Sequence, residues 1–217
     1  MYLSLLATFL FGIVLVGGYS LLTNQLFIMS RVLKNPLGSS PPAFSLANAP
    51  SRSLRGNLTA YTGSVLWQSR TASLGARLTE SHKIIQQGES LETEDHALAT
   101  ISFPAAVQIS MEANTKIDFI QTLLSQFLVA QHSGSARYDN TGPKGVSIRS
   151  LGLLVHLIGG STVLSVNPDK GHITVTTAAS ASATAAYNDT DNVSRIVPVP
   201  PSSTLLFDND TRSTRLE

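Results

Sequence analysis

An all-β body carried behind one transmembrane α-helix is the fold class this sequence predicts. Three observations predict it. Residues 2–29 hold no charged side chain, and at about 1.5 Å of rise per residue they suffice to cross a hydrocarbon core of about 30 Å. From Leu54 onward the apolar residues recur with a period of two, the period of a strand with one buried face. Clusters of Gly, Pro, Asn and Ser interrupt those runs where hairpins need turns. The chain accordingly divides into a transmembrane helix over residues 1–30, a Pro/Ser-rich linker over 31–55, a β-domain over 56–207 and a flexible polar tail over 208–217.

A cleaved signal peptide wants a basic start and an apolar run of about 7–15 residues. No Lys or Arg precedes this run, the run is longer, and the cleavage-like tripeptide Ala47-Asn48-Ala49 lies well beyond it. A retained single-pass anchor is the expectation, with membrane lipid as partner of residues 2–29. Gly12, Gly17 and Gly18 lack the GxxxG spacing of a helix-pairing face. Arg31 and Lys34 follow the run directly, and by the positive-inside rule they favour a cytoplasmic body. After them, Asn35-Pro36 and Pro41-Pro42 mark an extended spacer.

The body reads as strands in order. Val65 and Trp67 fall on one face of the first clear one, which assigns the single tryptophan to sheet packing. Gly88 is a turn. Ala99, Ile101 and Phe103 form an apolar face, and Pro104-Ala105-Ala106 joins that strand to Val107, Ile109 and Met111 as a hairpin. Ile117 and Phe119 point inward. Residues 122–131 fit strand or helix, with strand favoured because Gly134 reads as a turn and residues 135–138 as a hairpin partner. Residues 139–145 read as a turn, Gly159-Gly160 as a divider and Asn167-Pro168-Asp169-Lys170-Gly171 as a hairpin connection. Residues 178–187 are low in bulk and read as a strand of small side chains. The polar stretch after Asp208 reads as a frayed tail.

Chemistry is sparse. The formal net charge is +1 over 217 residues, so no basic field points to nucleic acid. Cysteine is absent, which excludes disulfides, thiolate metal sites and a cysteine nucleophile. His82, His96, His132, His156 and His172 lack metal-ligand spacing. Asp95-His96 places its two groups on opposite strand faces. Glu89, Glu92, Glu94 and Asp95 read as a solvated strand edge rather than an acid pair. The oxygen-rich stretches 188–192 and 208–210 read as Asx turns rather than calcium loops. Sequons stand at Asn57, Asn188, Asn192 and Asn209. No catalytic, cofactor-binding or metal-ligating residue is assigned, and no cofactor is expected.

The ordered set of these pieces resembles the FecR-like domain. It comprises Gly63-Ser64-Val65, then Gly88-Glu89-Ser90-Leu91-Glu92-Thr93, then Ala99-Thr100-Ile101-Ser102-Phe103 with Val107-Gln108-Ile109. Asn114-Thr115-Lys116-Ile117, the stretch from Gln131 to Tyr138, and Gly160-Ser161-Thr162-Val163-Leu164-Ser165-Val166 complete it. The likeness covers about residues 56–207. It departs where Pro104-Ala105-Ala106 replaces the usual Asp-Gly-Ser turn, and only Met1 precedes the apolar run, where sigma-regulating relatives carry a helical segment. The resemblance implies a β-sandwich or a short β-solenoid of stacked hairpins. It also implies an extracytoplasmic, non-enzymatic domain that senses a signal or binds a protein partner at the cell surface, and it outweighs the Arg31 and Lys34 orientation signal. The alternatives are a structural subunit of a surface assembly and a glycan-binding module.

Overall fold

The computed structural model describes residues 53–217, so the apolar run 2–29 and the linker up to residue 52 lie outside the described residues. Among the described residues no helix is long and apolar enough to cross a membrane. What they form is all-β.

Sixteen strands are described: β1 (Gly56–Thr62), β2 (Val65–Gln68), β3 (Ala76–Arg77), β4 (Ile84–Ile85), β5 (Ser90–Thr93), β6 (Leu98–Phe103), β7 (Val107–Met111) and β8 (Lys116–Leu123). The rest are β9 (Gln126–Asn140), β10 (Val146–Ser150), β11 (Leu153–Asn167), β12 (His172–Thr177), β13 (Ser182–Asn188), β14 (Ser194–Val199), β15 (Thr204–Asp208) and β16 (Ser213–Leu216). A 3-10 turn, Pro168–Lys170, links β11 to β12.

The strands form one hydrogen-bonded network that folds into two sheets. The first runs β4-β1-β6-β7-β9-β11-β12-β15-β16. The second runs β3-β2-β5-β8-β9-β10-β11-β13-β14. β9 and β11 belong to both. The first half of each pairs in the second sheet, and the later half of each pairs with the other in the first sheet, Val166 opposite Gly134 and Gly160 opposite Asn140. Pairing is antiparallel except for β9 with β10, where Phe127 lies beside Val146 in parallel.

Alternation along each strand supplies the core. β6 buries Ala99, Ile101 and Phe103, and β8 buries Ile117 and Phe119, as the period of two predicts. Phe103 of the first sheet meets Phe119 at 5.3 Å and Phe127 at 4.9 Å between ring centroids, both on the second sheet. Farther along, Tyr187 meets Phe207 at 5.2 Å, again across the two sheets. The inner faces therefore pack on each other.

Several expectations are corrected. Gly134 and Gly159-Gly160 are not dividers: they lie inside the 15-residue strands β9 and β11, where those strands pass from one sheet to the other. A glycine inside a strand often marks such a bend rather than an end. Residues 122–131 are not one strand, because Leu124 and Ser125 form the turn between β8 and β9. The stretch after Asp208 is not a frayed tail throughout, since β16 pairs with β15 and Thr204 and Glu217 exchange backbone hydrogen bonds. Of residues 178–187, only those from Ser182 belong to a strand. The hairpins at Pro104-Ala105-Ala106 and at Asn167–Gly171 form as predicted.

A buried polar network holds the bend. The Gln131 side chain is 1% exposed, and its Nε2 donates to the carbonyls of Gly134 at 2.9 Å and Leu164 at 3.0 Å. Its Oε1 accepts from the Tyr138 hydroxyl at 2.9 Å. Burial pushes the Tyr138 phenol far above its ordinary pKa, so it remains a proton donor at any ordinary pH. One amide thus ties both long strands together. Tyr138→Phe strands an acceptor inside the protein, and we expect a loss of about 1–3 kcal/mol, read as a lower urea midpoint at unchanged slope.

Candidate interaction surface

The richest polar geometry lies on the outer face of the second sheet. There β2, β5, β8 and β9 turn Gln68, Ser90, Lys116, Asp118 and His132 outward, and the segment after β2 brings Arg70 alongside. These side chains line an open groove of about 630 Å³. Two polar contacts across strands organise it. His132 Nε2 stands 2.7 Å from Asp118 Oδ2, and Lys116 Nζ lies 3.1 Å from Glu92. The Arg70 stem packs on Gly88, whose φ of +84° suits a residue without a side chain.

At one end of the groove lies a composite that no local sequence signal announced. Glu89 is only 8% exposed, and its side chain is held by two donors. Trp67 Nε1 donates to Glu89 Oε2 at 3.0 Å, and the backbone N–H of Gln86 donates to the same oxygen at 2.8 Å. Two donors offset the cost of burying that oxygen. Lys83 Nζ sits 3.7 Å from the centroid of the Trp67 ring, within cation–π range. Trp67 packs its ring against the core, as expected, and uses its N–H as a clamp on Glu89.

The acidic cluster is therefore not a solvated edge. β5 is an interior strand between β2 and β8. Each carboxylate has its own partner: Glu89 has Trp67, Glu92 has Lys116, Glu94 has Arg77 at 3.1 Å and Asp95 has Asn114 at 2.8 Å. Nor does the groove assemble a hydrolytic triad. Such a triad places the imidazole between hydroxyl and carboxylate. Here Asp118 of β8 stands between Ser90 of β5 and His132 of β9.

The two oxygen-rich stretches are Asx turns. Asp189 Oδ1 accepts from the N–H groups of Asp191 at 3.0 Å and Val193 at 2.9 Å, and Oδ2 accepts from Arg195 at 2.8 Å. The Val193 N–H above all, then Arg195, holds the Asp189 carboxyl below the usual carboxylate range. Asp208 accepts from the N–H groups of Thr211 at 3.1 Å and Asp210 at 2.9 Å, and the Thr211 N–H is the main reason its carboxyl is also held low.

Among the described residues β14 is an outer strand, and its free side is guarded. Asp189 N–H donates to Val193 C=O, so the directly opposed pairs alternate from that point between bonded and unbonded. Thr184 and Pro198 are opposed, and counting from the Asp189–Val193 pair puts them at an unbonded position. The ring nitrogen of Pro198 therefore faces outward, where an N–H would recruit another strand. Pro198→Thr restores that donor. We expect the hydrodynamic radius of the variant to grow with concentration in light scattering, while the parent's stays constant. A monodisperse variant would show that the proline is no guard.

No protein-family model matches the sequence, and no curated protein matches it either. Solved structures do resemble it. Two crystal structures of a "putative anti-sigma factor" from Parabacteroides distasonis ATCC 8503 superpose on this chain. The 1.65 Å structure gives a TM-score of 0.50 at 13% identity, and the 2.50 Å structure gives 0.49 at 14%. Each match covers 59% of this chain and 58% of the other, so the likeness spans somewhat over half of either protein. At this identity what is shared is the β fold.

Proposed function

We propose that this chain is a membrane-tethered, non-enzymatic domain of the FecR-like type, which transmits a signal by binding a protein partner outside the cytoplasm. Residues 2–29 serve as its single-pass anchor in membrane lipid. The fold shared with a protein described as an anti-sigma factor supports a signalling role. The observation that carries the binding role is the groove across β2, β5, β8 and β9. It is wide, shallow and floored by a sheet, and it carries charges of both signs, Arg70 and Lys116 beside Asp118. Such a surface suits a polar protein face, which recognises by complementary charge and excludes wrong partners by mismatch.

A photo-crosslinking side chain placed at Gln68, in the groove, tests this in intact cells. A second copy of the probe at Thr176, on the outer face of the first sheet, is the control. The expected result is one discrete protein adduct from position 68 and none from position 176. Equal labelling from both positions, or none from 68, removes the groove as a partner site. Digestion of the body by protease added outside the cytoplasmic membrane checks the orientation.

A further inference from the structure

The outer faces of the two sheets differ in chemistry. The first presents mainly Thr100, Ser102, Gln108, Ser110, Ser135 and Ser165, with Arg137 and Asp139 paired at 3.0 Å, and its exposed apolar side chains, Leu98 and Ile84, stand apart on β6 and β4. The second, beyond the groove, exposes three large apolar side chains among small polar ones. One row across β10, β11, β13 and β14 reads Arg149, Leu154, Ala186, Ile196, each directly opposite the next. Leu154 is 41% exposed, Ile158 55% and Ile196 74%. Ser147, His156, Thr184 and Pro198 make up the neighbouring row. Arg149 is the one fixed charge turned outward on these four strands, and no carboxylate accompanies it. The carboxylates that border the face, Asp189 and Asp191, belong to the tip of the β13–β14 hairpin, where Asp189 is bound to Arg195.

We propose that this face of β10, β11, β13 and β14 rests on an anionic lipid surface. Three arguments select that occupant. A second copy would offer Arg149 no carboxylate on the same four-strand face, and Pro198 leaves the β14 edge beside it one outward N–H short. A free protein partner needs more area: four strands about 4.8 Å apart and about six residues long give on the order of 400 Å², against about 800 Å² per side in a standard interface. A lipid surface needs less, because the same chain carries the uncharged apolar run 2–29. Tethering raises the effective concentration of a weak contact to the point where a few apolar side chains and one cation suffice. The inference rests on the anchored reading proposed above.

The chain has no cysteine, so single-site labelling is clean. Full-length Ile196→Cys and Thr176→Cys variants, each carrying a polarity-sensitive fluorophore, are reconstituted with vesicles of phosphatidylcholine containing phosphatidylglycerol, and of phosphatidylcholine alone. Lipid-borne quenchers report depth, and flotation reports anchoring. At position 196 the expected quenching is several-fold stronger than at 176. It weakens in the neutral vesicles and on adding Arg149→Glu. Chains that float with both labels equally exposed to water overturn the docking and leave the anchor standing. Chains that do not float overturn both. Burial of the label at 196 that tracks protein concentration in detergent, without vesicles, assigns the face to a protein contact and also overturns the docking.

Discussion

Replacing Gly134 by alanine is expected to cost about 3 kcal/mol or more, a large share of the roughly 5–15 kcal/mol that holds a typical domain folded. Gly134 has φ of +77°, where an L-residue is disfavoured by about 1–2 kcal/mol. The added Cβ would also lie 2.5 Å from the Asn114 carbonyl oxygen and 2.5 Å from the Thr115 Cα. Those atoms are backbone and cannot swing away. Thr115 is itself fully buried and fixed, because its Oγ1 donates to Ser135 C=O at 2.9 Å and accepts from Ser135 N–H at 3.0 Å. Gly159→Ala is the matching control. Nothing lies within 4 Å of the Cβ it would add, and its φ is not positive. That variant is expected to change stability by no more than about 1 kcal/mol, in the stabilising direction. Urea midpoints of the two variants make the comparison. Equal midpoints would show that position 134 is an ordinary strand residue.

Phe103→Ala is expected to cost about 3–5 kcal/mol. The ring is fully buried and packs on Phe119 and Phe127 of the opposite sheet. Its far side rests on Gly56, where even a Cβ would stand 2.5 Å from the ring. Truncation therefore opens a cavity bounded by backbone and by two rigid rings, a site with little room to collapse. Phe103→Leu fills more of the space and should recover more than half of the loss. Thermal unfolding of the three proteins measures this. A Phe103→Ala protein within 1 kcal/mol of its parent would mean that the sheets are not joined at this ring.

Legibility in the sequence followed a simple division. The inward faces of β6, β7 and β8 were readable, since Ala99, Ile101, Phe103, Ile109, Ile117 and Phe119 recur at every second position, mostly with polar residues between them. Periodicity is a local signal, and it served wherever strands are short. It failed at Gly134 and Gly159-Gly160, because the same residue type that ends a strand also lets one bend, and only the partners across the sheet decide which. The register of β10 beside β9 could not be read either. A turn at residues 141–145 looks alike whether the chain returns antiparallel or crosses over to a parallel neighbour. For the groove, the residue types were visible and their grouping was not. Trp67, Lys83 and Glu89 come from separate segments, and Asp118 meets His132 only through the pairing of β8 with β9. The acidic cluster misled because charge runs on a strand resemble an exposed margin, whereas here each acid found a cross-strand or side-chain partner.

The passage of β9 and β11 through both sheets has a mechanical consequence. Peeling one sheet from the other would require breaking the ladders of two strands that anchor in each, so the body should open all at once or hardly at all. Amide exchange in residues 126–140 and 153–167 should then report the same opening energy on either side of each bend. A pull or a twist delivered at one sheet has a continuous backbone route into the other through β9 and β11, a clamped joint instead of a hinge.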